Sequence, residues 1–572
     1  MEPVAQRLWQ ARVSGPTTDP INLADELGVT VLTARVLAQR GIATVADAEQ
    51  FLRSRLATLP DPFLLRGMEA GVSRLVTALE SGETIAIHGD YDVDGISATA
   101  LLVEFLHSIG GTVSYHIPLR LKDGYGLSAE ALEQAAASGV RVVVSVDCGV
   151  SAHAEADLAR RLGLDLIITD HHQPPQRLPS ACALINPHQP DCPFPDKRLA
   201  GVGVAFFLLI ALRGRLREQG YFTDRSEPDL RHALDLVALG TIADMVPLTG
   251  LNRLLTRVGL QVIAGSRPGL RALRAVAGVD EVDCSAVGFR LAPRLNAAGR
   301  IEDAALGVEL LLTADQGEAE AIATRLDVCN RERQELEQRT LIEASALVAE
   351  LPESVHSIVL ASSDWHPGVI GIVASRLVER FYRPTILLSV ENGTARGSAR
   401  STRDVHLYQA LSACSPVLTG FGGHAAAAGM TLSAADIDAL RTAFDQAVQS
   451  QMAEVQQPLL EHDGEVLLEE LDAATVEELA ELAPFGIGNA APLFRVCQVR
   501  AMGVQSLGGS HLRFTARQDA YSLPCIAFGF APRRAELATC VDLLVTPEIN
   551  IWKGRRSVQL RVRDWQPTTV EG

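Results

Sequence analysis

Three short runs rich in Val and Ile stand out in the first third of the chain: TIAIHGD (84–90), VRVVVSVD (140–147) and LDLIITD (164–170). Each closes on an aspartate. Between them, SATALLVEFLHSIG and SAEALEQAAASG carry the apolar spacing of helices. Strands alternating with helices predict βαβ units and a mostly parallel sheet. Residues 1–60 read as helical, from LADELGVTVLTARVLAQRGI and ATVADAEQFL. A long polar stretch, Glu318 to Leu351, holds no Gly or Pro and predicts a helix connecting two domains. Beyond it, HSIVLASSDWHPGVIGIVASRLVERF and PTILLSV begin a second, smaller α/β unit rich in glycine. From about 455 the pattern changes to alternating strands, HLRFTARQ, LPCIAFGFA, VDLLVTPEIN and RRSVQLRVRDW, which predict a small all-β barrel. The expected division is 1–60 helical, 61–314 parallel-sheet α/β, 315–352 connecting helix, 353–454 second α/β and 455–572 all-β.

Length supports several domains, since 572 residues exceed what one core holds. Hydrophobic residues at 47% and charged residues at 21% fit a globular protein. The longest apolar run, Gly201 to Leu212, is too short to span a bilayer and predicts a buried helix. The start, MEPVAQRLWQARVSG, has no apolar leader pattern, so a cytoplasmic protein is expected, acting as a monomer and not at a membrane. Nine scattered cysteines without a CxxC pair fit reduced thiols, and Cys182, His188 and Cys192 lack zinc-site spacing. A net charge of −18 argues mildly against a nucleic-acid partner, yet such binding needs only a local positive track.

Chemistry concentrates at the ends of the three runs. The first reads His88-Gly-Asp90-Tyr-Asp92-Val-Asp94-Gly95. In an extended segment, spacing two puts all four side chains on one side, and Gly95 permits a turn into the next helix. Carboxylates packed this closely repel unless a cation sits among them. The second run ends at Asp147, and the third at Asp170-His171-His172. In open parallel sheets functional groups gather at the carboxyl ends of strands, so His88, Asp92, Asp94, Asp147 and His171 are expected to converge. Asp244, after the apolar run DLVALGTIA, is a further contributor. Mixed carboxylate and imidazole ligands favour Mn²⁺ or Mg²⁺, and their number suffices for two ions, an arrangement suited to phosphate-ester hydrolysis.

HGDYDVDG, SVDCG, TDHH and ADMVPL, in this order, resemble the four motifs of the DHH phosphoesterase superfamily. GGH at 422–424 resembles its accompanying DHHA1 domain. Together with FRLAPRLNAAGRIEDA, WHPGVIGIVASRL and APFGIGNAAPLF, the likeness is to the RecJ family of single-strand-specific 5′→3′ exonucleases, over nearly the whole chain. The resemblance implies DHH, DHHA1 and OB-fold domains and a role in DNA repair and recombination. It implies one ion on His88, Asp92 and Asp147 and another on Asp94, Asp147, His171 and Asp244, with Asp147 as bridge. His172 would contact the scissile phosphate or act on the leaving group, and Asp90 and Asp170 would orient the ligands. It also implies cooperation with a single-strand DNA-binding protein and a RecQ-type helicase.

For the DNA strand, Ser398 and Arg400 in RGSARS and Gly422, Gly423 and His424 are phosphate-binding candidates, because glycine lets backbone N–H groups approach an anion. Arg294, Asn296 and Arg300 add donors. The resemblance makes their ligand the 5′-terminal phosphate. In the last domain, Lys553, Arg555, Arg556, Arg561 and Arg563 stand against one Asp564, and Trp552, Phe514 and Trp565 are possible stacking residues. Two rivals remain: a hydrolase of short oligonucleotides or cyclic dinucleotides, and a non-catalytic single-strand-binding factor. The β-domain disfavours the first and the intact acidic motifs the second.

Overall fold

The computed structural model describes residues 7–12, 19–119, 124, 126–265, 267–352, 354–452, 458–552 and 554–568. Two compact units account for them: one built on 60–246 and 258–458, the other on 7–59, 247–257 and 459–572.

The first unit opens with a five-stranded sheet: β1 (Ile85–Gly89), β2 (Val113–His116), β3 (Val142–Val146), β4 (Asp165–Thr169) and β5 (Ala183–Ile185), in the order β2-β1-β3-β4-β5. All four pairings are parallel. Ile85, Ile87, Val142, Val144 and Val146 are fully buried, as expected of strands covered on both faces. Chain connections diverge from β1 and β3 to opposite sides, which opens a crevice at their carboxyl ends. Three helices border it. In α1 (Val93–Ser108), the Asp92 side chain caps the start by accepting from Asp94 N and Gly95 N at 3.0 and 3.2 Å. Next, α2 (Gly201–Glu218) contains the long apolar run and buries nearly every residue from Gly201 to Leu212. Last, α3 (Leu234–Ala243) is mostly apolar, with buried Asp235 paired to Arg267, and ends at Asp244.

Helix α4 (Ala292–Ile301) carries the LNAAGR motif, and a π-helical turn, Val287–Leu291, precedes it. The connecting helix α5 runs Gln316–Ala349, capped by the Asp315 side chain on Glu318 N. Its buried stripe, Ala319, Ile322, Ala323, Leu326, Cys329 and on to Ala344 and Val348, follows helical spacing. The second sheet comprises β6 (Ile358–Ser362), β7 (Thr385–Glu391), β8 (Thr394–Arg400), β9 (Gly420–Gly423) and β10 (Ala427–Ser433), in the order β9-β10-β8-β7-β6. Only β6–β7 is parallel.

The second unit is a closed barrel of β11 (Phe494–Leu507), β12 (His511–Gln518), β13 (Tyr521–Ala527), β14 (Val541–Trp552) and β15 (Arg555–Pro567), in the order β11-β12-β13-β15-β14. Alternation sets its core: Leu512, Phe514 and Ala516 are buried while Arg513 and Arg517 face solvent. Helices Pro20–Leu27, Val31–Gln39 and Val45–Arg53 share that core, so Leu32, Val36 and Leu37 belong to one cluster with Phe494, Leu543 and Trp565. The N-terminal helices are therefore part of the barrel unit in three dimensions.

Candidate metal centre and nucleic-acid groove

The acidic motif does not run on as a strand. β1 stops at Gly89, the chain turns through Asp90 and Asp92, and Asp94 already lies in α1. Turn and helix start, rather than strand alternation, bring the carboxylates together. Gly95 is needed for close approach: a Cβ there would sit 2.5 Å from the Asp90 carbonyl oxygen. Asp147 adopts φ 61°, a left-handed conformation uncommon outside glycine, and its amide still donates to Thr169 O at 3.0 Å.

Ligand-type atoms cluster in three overlapping groups, each within 4.8 Å: Asp90, Asp92 and Asp147; Asp94, His171 and Asp244; Asp147, His171 and His172. His171 Nε2 lies 3.1 Å from Asp147 Oδ1 and 3.5 Å from Asp244 Oδ2. Among the described residues, neither His171 Nε2 nor Asp244 Oδ2 has a hydrogen-bond partner, although both atoms are buried. Burial pushes the His171 pKa down to about 4, so its ring is neutral at pH 7. A buried imidazole nitrogen facing carboxylate oxygens without a hydrogen bond is a donor set that fits a divalent ion.

Burial dominates the electrostatics. It raises the Asp94 carboxyl to about 7, with Asp92 adding repulsion. Asp244 rises to about 9, from burial first and Asp94 second. Asp147 is also driven well up, by burial and then by Asp94, Asp92 and Asp244.

Asp170 points elsewhere. Its carboxylate accepts from Val150 N at 2.9 Å, His171 N at 2.7 Å and His172 N at 3.0 Å, and bonds His172 Nδ1 at 2.7 Å. Burial opposes ionisation of Asp170, but the His172 bond and the backbone donors outweigh it and lower its pKa. For His172, burial lowers the pKa, and the Asp170 bond and nearby carboxylates reverse that to a net rise. His88 joins none of the three groups: its Nε2 meets Gly126 O at 3.1 Å and its ring packs on His116. Asp90 stands among the ligand atoms instead.

Phosphate candidates also assemble within this unit. Gly422, Gly429 and Ser398 form one cross-strand row, flanked by Gly423, Ala428 and Ala399. His424 follows directly, with its amide bonded to Ala427 O. A Cβ on Gly371 would lie 2.8 Å from Ser398 Oγ and 3.1 Å from Arg400 Nη2. Arg400 Nη1 donates to Ser398 Oγ at 3.1 Å. Arg300 reaches the same segment through Gly368 O at 2.8 Å. Asn296 Oδ1 accepts from Val93 N at 3.2 Å, which ties α4 to the acidic turn. Arg294 is engaged by Asp327 at 3.0 Å and by the Arg290 carbonyl. Gly368 and Gly371, in WHPGVIG, were not singled out from the sequence.

On the barrel, Arg7, Phe528, Phe530, Thr546, Arg561 and Arg563 line a groove of about 440 Å³. Phe528 is 47% exposed, with the Arg561 guanidinium 5.2 Å from its ring centre. Phe514 and Trp565 cannot stack on a base, because both point into the core at 3% and 0% exposure. Trp565 instead bonds Glu536 through Nε1. Arg556 pairs with Glu477 at 2.9 Å, Arg555 is exposed, and Lys553 and the Trp552 side chain fall outside the described residues.

Residues 84–241 match the DHH family N-terminal domain, 345–450 the DHHA1 domain and 462–564 the RecJ OB domain. The chain is 42% identical to the single-stranded-DNA-specific exonuclease RecJ of Dickeya dadantii, over 94% of this chain and 96% of that protein. Identity to the Escherichia coli protein of the same name is 39%, with the same coverage. The crystal structure of Thermus thermophilus RecJ in complex with Mn²⁺ superposes with a TM-score of 0.83 and 32% identity, covering 99% of this chain and 80% of that one. A second Thermus thermophilus RecJ structure, in complex with Mg²⁺, superposes at 0.78 and 30% identity, covering 99% and 79%. With these matches spanning sheet, connecting helix and barrel alike, the chain belongs to the RecJ family of single-stranded-DNA-specific exonucleases.

Proposed function

We propose that this protein is a metal-dependent exonuclease that hydrolyses single-stranded DNA from the 5′ end, in the cytoplasm, in DNA repair and recombination. The observation that carries it is His171 Nε2, buried and without a hydrogen bond among the described residues, 3.1 Å from Asp147 and 3.5 Å from Asp244. Asp90, Asp92 and Asp147 would hold one divalent cation, and Asp94, His171 and Asp244 a second, with Asp147 reaching both. His88 would support the turn from beneath. When bound, Mn²⁺ or Mg²⁺ supplies an activated water and neutralises charge on the phosphoryl oxygens.

The protein's own groups do the rest. Asp170 holds His172 by Nδ1 and favours its protonated form, so Nε2 can donate to a phosphoryl or leaving-group oxygen. Ser398, Arg400 and the Gly422–His424 strand end would grip the 5′-terminal phosphate, which accounts for end-specific cutting. Asn296 and Arg300 would keep α4 registered against both parts, and Arg294 would do so through Asp327. Downstream bases would stack on Phe528 beside Arg561, with Arg563, Arg555, Arg556 and Lys553 adding phosphate contacts. Family resemblance extends the proposal to cooperation with a single-strand DNA-binding protein and a RecQ-type helicase. No described helix is long and apolar enough to cross a membrane.

The test is digestion of labelled single-stranded DNA with and without a 5′-phosphate, beside a dinucleotide, in Mn²⁺. The proposal expects the 5′-phosphorylated strand to be degraded fastest. Preference for the dinucleotide would overturn it.

A further inference from the structure

A two-residue backbone segment, Gly201–Val202, touches two members of the cation cluster at once. It opens α2, and the first amides of a helix have no partner within it. Here Gly201 N donates to Asp94 Oδ2 at 2.6 Å and Val202 N to Asp94 Oδ1 at 2.9 Å. Against Gly201 lies Asp147: a Cβ at position 201 would fall 2.6 Å from Asp147 Oδ1 and 2.7 Å from its Cβ. That is closer than a real side chain tolerates. The two side chains come from different parts of the chain: a helix start and the end of a strand.

We infer that Gly201 and Val202 are a backbone template orienting two cation-holding side chains, Asp94 and Asp147, with Gly201 a positioning residue whose missing Cβ lets Asp147 lie against the start of α2. The inference deepens the two-cation reading and rests on it. Each contact has a distinct effect. The amides hold both oxygens of Asp94 at the positive end of an 18-residue helix, while each oxygen keeps a second lone pair for a cation. Gly201 sets how near Asp147 can come.

A merely helical role for Gly201 makes the opposite prediction, because alanine is the better helix former and would be neutral or stabilising. The experiment is a titration of chelator-stripped, full-length protein with Mn²⁺, reading free Mn²⁺ by electron paramagnetic resonance. Gly201→Ala is expected to weaken binding roughly 10- to 100-fold. Gly214→Ala, on the same helix with nothing within 4 Å of its Cβ, is expected to bind as the unchanged chain does. Unchanged Mn²⁺ affinity in Gly201→Ala overturns the template. Failure of the unchanged chain to bind Mn²⁺ overturns the two-cation reading instead. Should Gly201→Ala not fold, amide hydrogen exchange in the unchanged, metal-free protein decides. The Gly201 and Val202 amides are expected to be protected, and to lose that protection in Asp94→Ala. Rapid exchange in the unchanged chain overturns the template.

Discussion

Asp94, Asp147 and Asp170 are 1%, 2% and 1% exposed, whereas Arg563 and Phe528 reach solvent on a groove of the barrel. The first region packs like charges where water cannot screen them, so its geometry is set by backbone contacts and completed by a cation. The second spreads like charges over strand faces beside aromatic rings, where screening is cheap and geometry can be loose. The contrast separates two jobs. A buried cluster can act on a transition state, and an exposed groove can only hold the substrate.

Kinetics should divide the same way. Asp147→Ala removes a carboxylate shared between two groups and is expected to lower kcat by on the order of 10³-fold or more, with single-strand binding retained. A steady-state assay paired with a binding assay checks this, and a change confined to KM breaks the comparison. Phe528→Ala is expected to raise KM by roughly 5- to 150-fold with kcat little changed, from the loss of one stacked base. A fall in kcat alone would place Phe528 with the chemistry.

Stability of the stripped protein offers a sharper test of burial. Asp94 at about 7 and Asp244 at about 9 lie above their unfolded value near 4, so the folded state binds more protons between these limits. Stability is then fully present at low pH and declines as pH rises. His171, lowered to about 4, has the reverse effect only below about 6.5. Between pH 6.5 and 8.5 the metal-free protein should therefore lose about 2–4 °C in Tm, and Mn²⁺ should restore more at the higher pH. Calorimetric scans with and without chelator measure it. A flat or rising Tm would mean the cluster is hydrated. The smallest effect is expected on the groove: Arg561→Ala should reduce the slope of log affinity against log salt by about 0.7.

The sequence exposed the cluster because charge in an apolar context is anomalous. Asp147 after VVVSV and Asp244 after an apolar helix have no ordinary core explanation. What stayed hidden was carried by backbone. The run Gly201–Leu212 reads as a buried helix, which it is, and nothing in it signals that its first amides hold Asp94. The turn after β1 was hidden too, since spacing two fits a strand as well as a turn and helix start. In the barrel, Phe514 lies within one strand and Phe528 directly after another, so pattern alone could not tell core Phe514 from exposed Phe528. Linear reading likewise could not join residues 7–59 to the barrel, because their shared core links positions hundreds of residues apart.

Counting Mn²⁺ bound at equilibrium by the stripped, full-length protein tests the central claim most directly. The account predicts about two ions per chain, and the loss of tight binding of both in Asp147→Ala. Full occupancy in Asp147→Ala, with unchanged affinity, would contradict it.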